Sequence, residues 1–331
     1  MSDMLRRAFI TLLGGAAAAW PLAARAQQAR QVARIGFLGP EPENVLFAAN
    51  YPVFLTELRK LGFTEGQNLI IEHRRMDEGA SKAFAGAAEL IRSNVDVVVA
   101  FGPELALKAA AAASQTVPIV MIAVNFDPMA GGYVSDITRP EQNITGVVFR
   151  APELSAKQLG LLVEAFPDVK PIAALWEQAS AEQFDAAERA AQSMHIELRS
   201  HKVENLPFDF DAAFRAIAQD GSRVVLVLSG PTFGIQRAHI ADLAIQHRLP
   251  TMFTFKYYVE AGGLMSYGID TVPMFRRAAS FVAKILRGAK PSDLPVEQPT
   301  NFEFTLNLKT SKAIGVSVPT SILLRADEVI E

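Results

Sequence analysis

Asp127 closes an apolar run, "TVPIVMIAVNFD", and Pro128 follows it. A carboxylate so placed has two uses. It can pair with a ligand ammonium through a charge-assisted hydrogen bond, or it can accept backbone N–H groups in its own turn. Asn125 adds an amide two residues earlier. Ser180, Ser229 and Thr232 carry hydroxyls that suit a ligand carboxylate equally as well as a helix N-cap. Backbone N–H groups at the helix starts after Gly39, Gly102 and Ser180 suit an anion too. Trp176, Phe233, Phe255, Tyr257 and Tyr267 fall at or just beyond predicted strand ends, as do Phe101 and Phe126. Rings there either stack on a planar ligand, worth about 0.5–1.5 kcal/mol per pair beyond area burial, or fill a core. The core reading is preferred for Phe101 and Phe253, and the cleft for Trp176 and Tyr257. Pro40, Pro103, Glu104 and Gln178 complete the residues in these loops.

This set suits binding better than catalysis. The chain has no cysteine, so thiol nucleophiles and thiolate metal sites are excluded. The five histidines, His73, His195, His201, His239 and His247, form no i, i+4 pair and no H-E-x-x-H. Gly36 and Gly39 are followed by Pro40 and Pro42, which does not make a dinucleotide loop. G-x-x-x-x-G-K-[ST] and G-x-S-x-G are both absent. No catalytic residue, metal ligand or cofactor is assigned.

The elements that must position these residues alternate. Val95–Ala100 and Pro118–Val124 are β-rich apolar runs separated by an alanine-rich segment, Glu104–Ala113. Strand, helix, strand is the unit of a parallel sheet. In such sheets ligands bind beyond the carboxyl ends of the strands. Earlier come a strand at Val32–Leu38, a helix with Phe54, Leu58 and Leu61 on one side and Gly62 after it, a strand in "NLIIEHRR", and a helix with Ser81 as N-cap. The first half is therefore β-α-β-α-β-α-β. The pattern restarts at "LSAKQLGLLVEAFP", with strands expected in "KPIAALWEQAS", "HIELRSHKV", "SRVVLVLSGPTFG", "LPTMFTFKYY" and "GGLMSYG". A helix at Pro273–Arg287, a proline-rich stretch, the strand "NFEFTLNLK" and the short helix "TSKAIG" follow. The prediction is two doubly wound α/β lobes joined by a hinge. Lobe 1 takes 32–147 plus about 269–295, and lobe 2 takes 148–268 plus about 296–331.

The beginning of the chain reads as an export signal. Arg6 and Arg7 precede an apolar core from Ala8 to Ala19, and Ala24-Arg25-Ala26 offers a cleavage site. The twin arginines resemble the twin-arginine signal, with general export as the alternative. Removing Met1–Ala26 lowers the basic residues from 32 to 29 and the acidic ones from 35 to 34, so the net charge moves from -3 to -5. A mildly acidic surface is poor for nucleic acid or anionic membrane. No later segment has the length and apolarity of a membrane span. Without cysteine there is no lipid-bearing residue either. The expectation is a periplasmic, unanchored monomer of about 300 residues in two domains.

Seven blocks then add a resemblance. They are "RIGFLG" from Arg34, "GFTEGQNLIIEHR" from Gly62, "DPMAGGYV" from Asp127, "RPEQNITG" from Arg139, "VEAGGLMSYG" from Val259, "RAASFVAKILRGAKPSDLPVEQPTNFEFTLNLKTSKAIG" from Arg277, and "VPTSILLRADEVIE" from Val318. With them the chain resembles bacterial ABC-transporter substrate-binding proteins of the tryptophan/tyrosine transport type, over nearly everything after the leader. The resemblance implies a type I periplasmic binding protein fold, two lobes joined by three strands that close on a ligand. It also implies delivery of a small molecule to an ABC permease, with an aromatic amino acid or related aromatic acid favoured. Glu141 and Gln142 stand where the family usually has glycines. Pro103 and Glu104 stand near a usually small or polar position. Both departures bear on the ligand. An exported α/β enzyme acting on a small metabolite is the other function to be weighed.

Overall fold

The computed structural model describes residues 32–331 apart from 77, 78, 141, 169 and 206. The leader at Met1–Ala26 and the departure at Glu141 lie outside the described residues. Five strands make the first sheet: β1 (Ala33–Gly39), β2 (Leu69–Arg75), β3 (Val97–Gly102), β4 (Ile119–Val124) and β5 (Ile144–Phe149). All pairs are parallel, in the order β2-β1-β3-β4-β5. β3 and β5 are buried along their whole length, which is why β3 reads as an unbroken apolar run. Helices α1 (Val45–Lys60), α2 (Ala80–Arg92) and α3 (Glu104–Ala113) connect them. Asn44 caps α1 by accepting Phe47 N–H at 3.1 Å.

Two local expectations need correction in this sheet. α2 starts at Ala80 with Gly79 as its cap, not Ser81. Gly79 has φ +100°, which glycine adopts without a Cβ penalty. β5 is a fifth strand where four were expected. The strand needs Gly146: its φ is +142°, and a Cβ would run into the Met121 carbonyl oxygen.

The second sheet holds β6 (Ile172–Trp176), β7 (Leu198–Lys202), β8 (Val224–Val227), β9 (Thr251–Phe253), β10 (Met265–Ile269), β11 (Phe302–Asn307) and β12 (Glu328–Ile330). The order is β12-β11-β10-β9-β8-β6-β7, and only β10 and β11 pair antiparallel. The helices are α4 (Ser155–Ala165), α5 (Ala181–Ser193), α6 (Phe210–Gln219), α7 (Pro231–Ile235), α8 (Arg237–Gln246) and α9 (Lys256–Glu260). After β10 come α10 (Val272–Leu286), α11 (Leu308–Ile314) and α12 (Thr320–Leu323). "PTFGI" and "KYYVE" are helices, not the strand ends expected of them. Gly230 is extended and Pro231 takes the first helical turn, a favoured start. α9 turns Tyr258 and Val259 into the core.

The chain passes between the sheets three times. It leaves the first sheet after Phe149, returns after Ile269 with α10 packed on α1, β4 and β5, and leaves again before β11. The third passage is tied to β5 before it crosses. Thr145 Oγ1 donates to Leu294 O at 2.8 Å, and Glu297 N donates to Gly146 O at 2.9 Å. Arg277 Nε, on α10, donates to Glu297 Oε2 at 2.6 Å. One apolar cluster runs from Phe37, Phe101 and Ile122 of the first sheet to Val225, Phe253 and Phe255 of the second. Two others sit behind the sheets, one under α2 and α3 and one under α4 and α5.

Candidate functional site

The site lies where the shared cluster reaches the carboxyl ends of both sets of strands. Phe149, at the end of β5, meets Phe255, just past β9, edge to face at 5.7 Å. Around them is a crease lined by Leu46, Phe101, Val124, Thr271, Met274 and Phe275, among others. It has no room for a water molecule, and Phe255 of the second lobe meets the first lobe here. α1 also touches α7 across the same seam.

A polar contact borders this apolar floor. Asn125 follows β4 in the left-handed region, at φ +65°, which asparagine tolerates better than most residues. Its Nδ2 donates to Ser229 Oγ at 3.3 Å, from the first lobe to the second. Its Oδ1 accepts Ala151 N–H at 3.2 Å. Ser229 is held by buried Gln183, which accepts its N–H at 3.0 Å and donates to its carbonyl at 2.8 Å. Asn125 and Ser229 thus meet each other, and Asn125 N donates to the carbonyl of Phe149, the ring that meets Phe255. Tyr257 stacks on Phe255 at 5.4 Å. Thr232 sits in α7, directly after the Ser229 loop.

Other expected residues have different partners. Asp127 Oδ1 accepts Met129 and Ala130 N–H at 2.9 and 3.2 Å, and Oδ2 pairs with Arg150 at 3.0 Å. Both oxygens are engaged, which is the turn reading of this residue. Ser180 Oγ bonds both the N–H and the carbonyl of Glu177, a turn lock. Gln178, beside it, is exposed. Trp176 lies flat on Phe184 of α5 at 4.6 Å, and its Nε1 donates to Ser200 at 2.8 Å. That places its ring on the cluster behind the second sheet. Phe233 is fully buried against Phe210 at 5.2 Å. Tyr267 stacks on Phe302 at 6.1 Å. In the first lobe Gly39 O accepts Met76 N–H, and exposed Glu104 accepts the Tyr133 hydroxyl at 2.8 Å. Burial, then this bond, pushes the Tyr133 pKa up to about 12. Pro40 adjoins Gly39, while Gly102 and exposed Pro103 lead into α3.

Phe149, Arg150, Glu177 and Gln183 join this region without having been among the residues expected in it. Glu177 had a signal: an acidic residue directly after a buried strand. Phe149 had none, because β5 itself went unread. These placements predict a small effect for Asp127→Asn. Asparagine keeps the turn acceptor, and a partly exposed ion pair contributes about 0–1 kcal/mol. Denaturation should show a loss of that size and calorimetry a ligand affinity within about twofold of wild type.

Among the described residues no His, Asp or Glu group could hold a metal ion, and no helix is long and apolar enough to cross a membrane. Comparison with known proteins places this geometry. Residues 48–330 match the family described as ABC transporter substrate binding protein. A tyrosine-binding protein of Clostridioides difficile is 23% identical over 269 residues, covering 80% of this chain and 75% of that protein. A conserved domain protein from Vibrio cholerae superposes with TM-score 0.81 at 24% identity, over 90% of this chain and 99% of its own. An ABC domain from Streptococcus pneumoniae, solved in complex with L-Trp, gives TM-score 0.80 at 24% identity with the same coverages. Matches at this identity establish the shared two-lobe fold.

Proposed function

The chain belongs to the ABC transporter substrate-binding protein family, and we propose that it is a periplasmic receptor whose lobes close over one small ligand with an aromatic body. The observation that carries this reading is the crease between the sheets. Phe101, Phe149, Phe255 and Phe275 give it an apolar floor, and the Asn125–Ser229 contact gives it a polar border across the two lobes. Ligand pockets are mostly apolar with a few placed polar groups, and they favour domain interfaces. With the lobes parted, a flat ring laid on this floor with polar atoms at the border is the ligand whose chemistry it matches. The tyrosine-binding relative and the neighbour solved with L-Trp support an aromatic amino acid, with related aromatic acids next.

Closure is proposed to turn on three short segments: Arg150, Asp270–Thr271 and Gln298–Asn301. An open cleft of about 240 Å³ lies beside two of these passages, at Asp270, Arg277, Glu297 and Asn301. The ligand works by binding the closed state better than the open one. The closed receptor, an unanchored and non-catalytic monomer exported by the leader, then hands its ligand to an ABC permease.

A thermal-shift screen of the purified, refolded chain tests this. L-Tryptophan, L-tyrosine, L-phenylalanine and aromatic acids should raise the melting temperature. A ligand at 100 times its Kd stabilises by about 2.7 kcal/mol. Scattering on the same samples should show a smaller radius of gyration with ligand. A shift produced only by non-aromatic solutes would overturn the ligand class. Product formation from a binding compound would overturn the receptor reading.

A further inference from the structure

Glu177 follows the last residue of β6 and is 6% exposed. The backbone N–H groups of Thr232 and Phe233 hydrogen-bond its carboxylate, yet Oε1 is buried without a partner. That oxygen lies over Gly230, where a Cβ would collide with it. The next residue back is Ser229, whose hydroxyl meets Asn125 across the seam. Tyr258, from α9, also faces Glu177, and its buried hydroxyl pairs with Tyr257 and leaves Oε1 unpaired. Tyr257 and Arg237 lie beyond Tyr258. Burial pushes the Glu177 pKa up to about 7, against the pull of the two N–H groups, and among the described residues no neighbouring cation offsets it. A buried acceptor left unpaired is costly, and one beside a ligand seam calls for a partner the protein itself does not supply.

We propose that Glu177, rather than Asp127, receives the ammonium of the ligand, so that the receptor selects zwitterionic aromatic α-amino acids over aromatic acids that lack the ammonium. The inference rests on the seam being the ligand seat. An ammonium pairs with the ionised carboxylate, so binding favours the deprotonated form. Below pH 7 the group carries a proton, which binding expels to solvent. The ammonium of an amino acid stays charged from pH 5 to 8, so the pH dependence of affinity belongs to Glu177.

Calorimetry with L-tryptophan and L-tyrosine, and with the deaminated indole-3-propionate and 3-(4-hydroxyphenyl)propionate, tests this. From pH 8 to pH 5 amino-acid affinity should fall on the order of 10- to 100-fold, following the loss of the ionised carboxylate. The deaminated pair should show no such fall. At pH 6, titrations in buffers of different ionisation enthalpy should report release of nearly one proton per amino acid bound. Glu177→Gln should bind the amino acids at least tenfold more weakly at pH 8, flatten their pH profile, and keep the deaminated pair. The proton count uses wild-type protein, so it stands even if the variant folds poorly. Amino-acid affinity independent of pH, without proton release, would overturn the role of Glu177 while leaving the aromatic seat intact. Failure of all four compounds to bind would remove the seat and the inference together.

Discussion

Gly146→Ala is expected to destabilise the chain by about 3–5 kcal/mol, because two costs fall on one position. The backbone there has φ +142°, which disfavours any residue with a Cβ. The new methyl would also run into the Met121 carbonyl of the neighbouring strand, and forcing extra volume into a packed core costs about 1–3 kcal/mol or more. The damage should reach the seam. β5 carries Phe149 to the floor of the crease and holds the third passage through Thr145, Gly146 and Val148. Gly160→Ala is the control. Gly160 lies inside α4 with nothing within 4 Å of the added methyl, so alanine there should be neutral or stabilise by about 0.5–1 kcal/mol. At roughly 2–4 °C per kcal/mol for a chain of this size, the two variants should melt about 10 °C apart. Matching melting curves would show that β5 shifts to accept the methyl and that Gly146 does not fix it.

β5 also marks how far the strands could be read from the sequence. Strands buried on both faces declare themselves as nearly continuous apolar runs, which is why β3, β4 and β8 were legible. β5 shows only Val147, Val148 and Phe149 as an unbroken apolar stretch after Thr145 and Gly146, too short to stand out, and no strand was expected there. "KYY" failed in the opposite direction. Aromatic residues after a short strand look like more strand, but the helix buries Tyr258 against Phe253 at 4.7 Å. At the site, the strand ends were legible and the facing of individual side chains was not. Neighbouring residues at a strand end point to opposite sides of the sheet. Trp176 therefore goes behind the sheet while Glu177, one position on, turns toward Gly230 and the Ser229 loop. Asp127 illustrates a second limit. A carboxylate after a strand is equally good at capping its own turn, and only the geometry shows that Met129, Ala130 and Arg150 occupy both oxygens.

Substituting the two aromatic positions separately turns that difference of facing into a measurement. Trp176→Ala removes a ring that covers Phe184, anchors to Ser200 and carries Lys202 at 5.3 Å over its face. Large aromatic truncations cost about 3–5 kcal/mol in a closed core, so this half-buried ring should cost somewhat less, about 2–3 kcal/mol. Ligand affinity should stay within about twofold, because the ring faces the rear cluster. Phe255→Leu should behave in reverse. Leucine keeps an apolar side chain between Phe149 and Tyr257, so the stability loss should stay near 1 kcal/mol. It removes the flat face that closes the crease from the second lobe, which should weaken an aromatic ligand by about 1–2 kcal/mol, on the order of tenfold. Denaturation and calorimetry on both variants separate the outcomes. If Trp176→Ala lost affinity while keeping its stability, the ring would have to leave Phe184 when the lobes part, and the ligand seat would extend over the edge of β6. If Phe255→Leu kept full affinity, the apolar floor would belong to lobe packing alone and the ligand would sit wholly on the polar border.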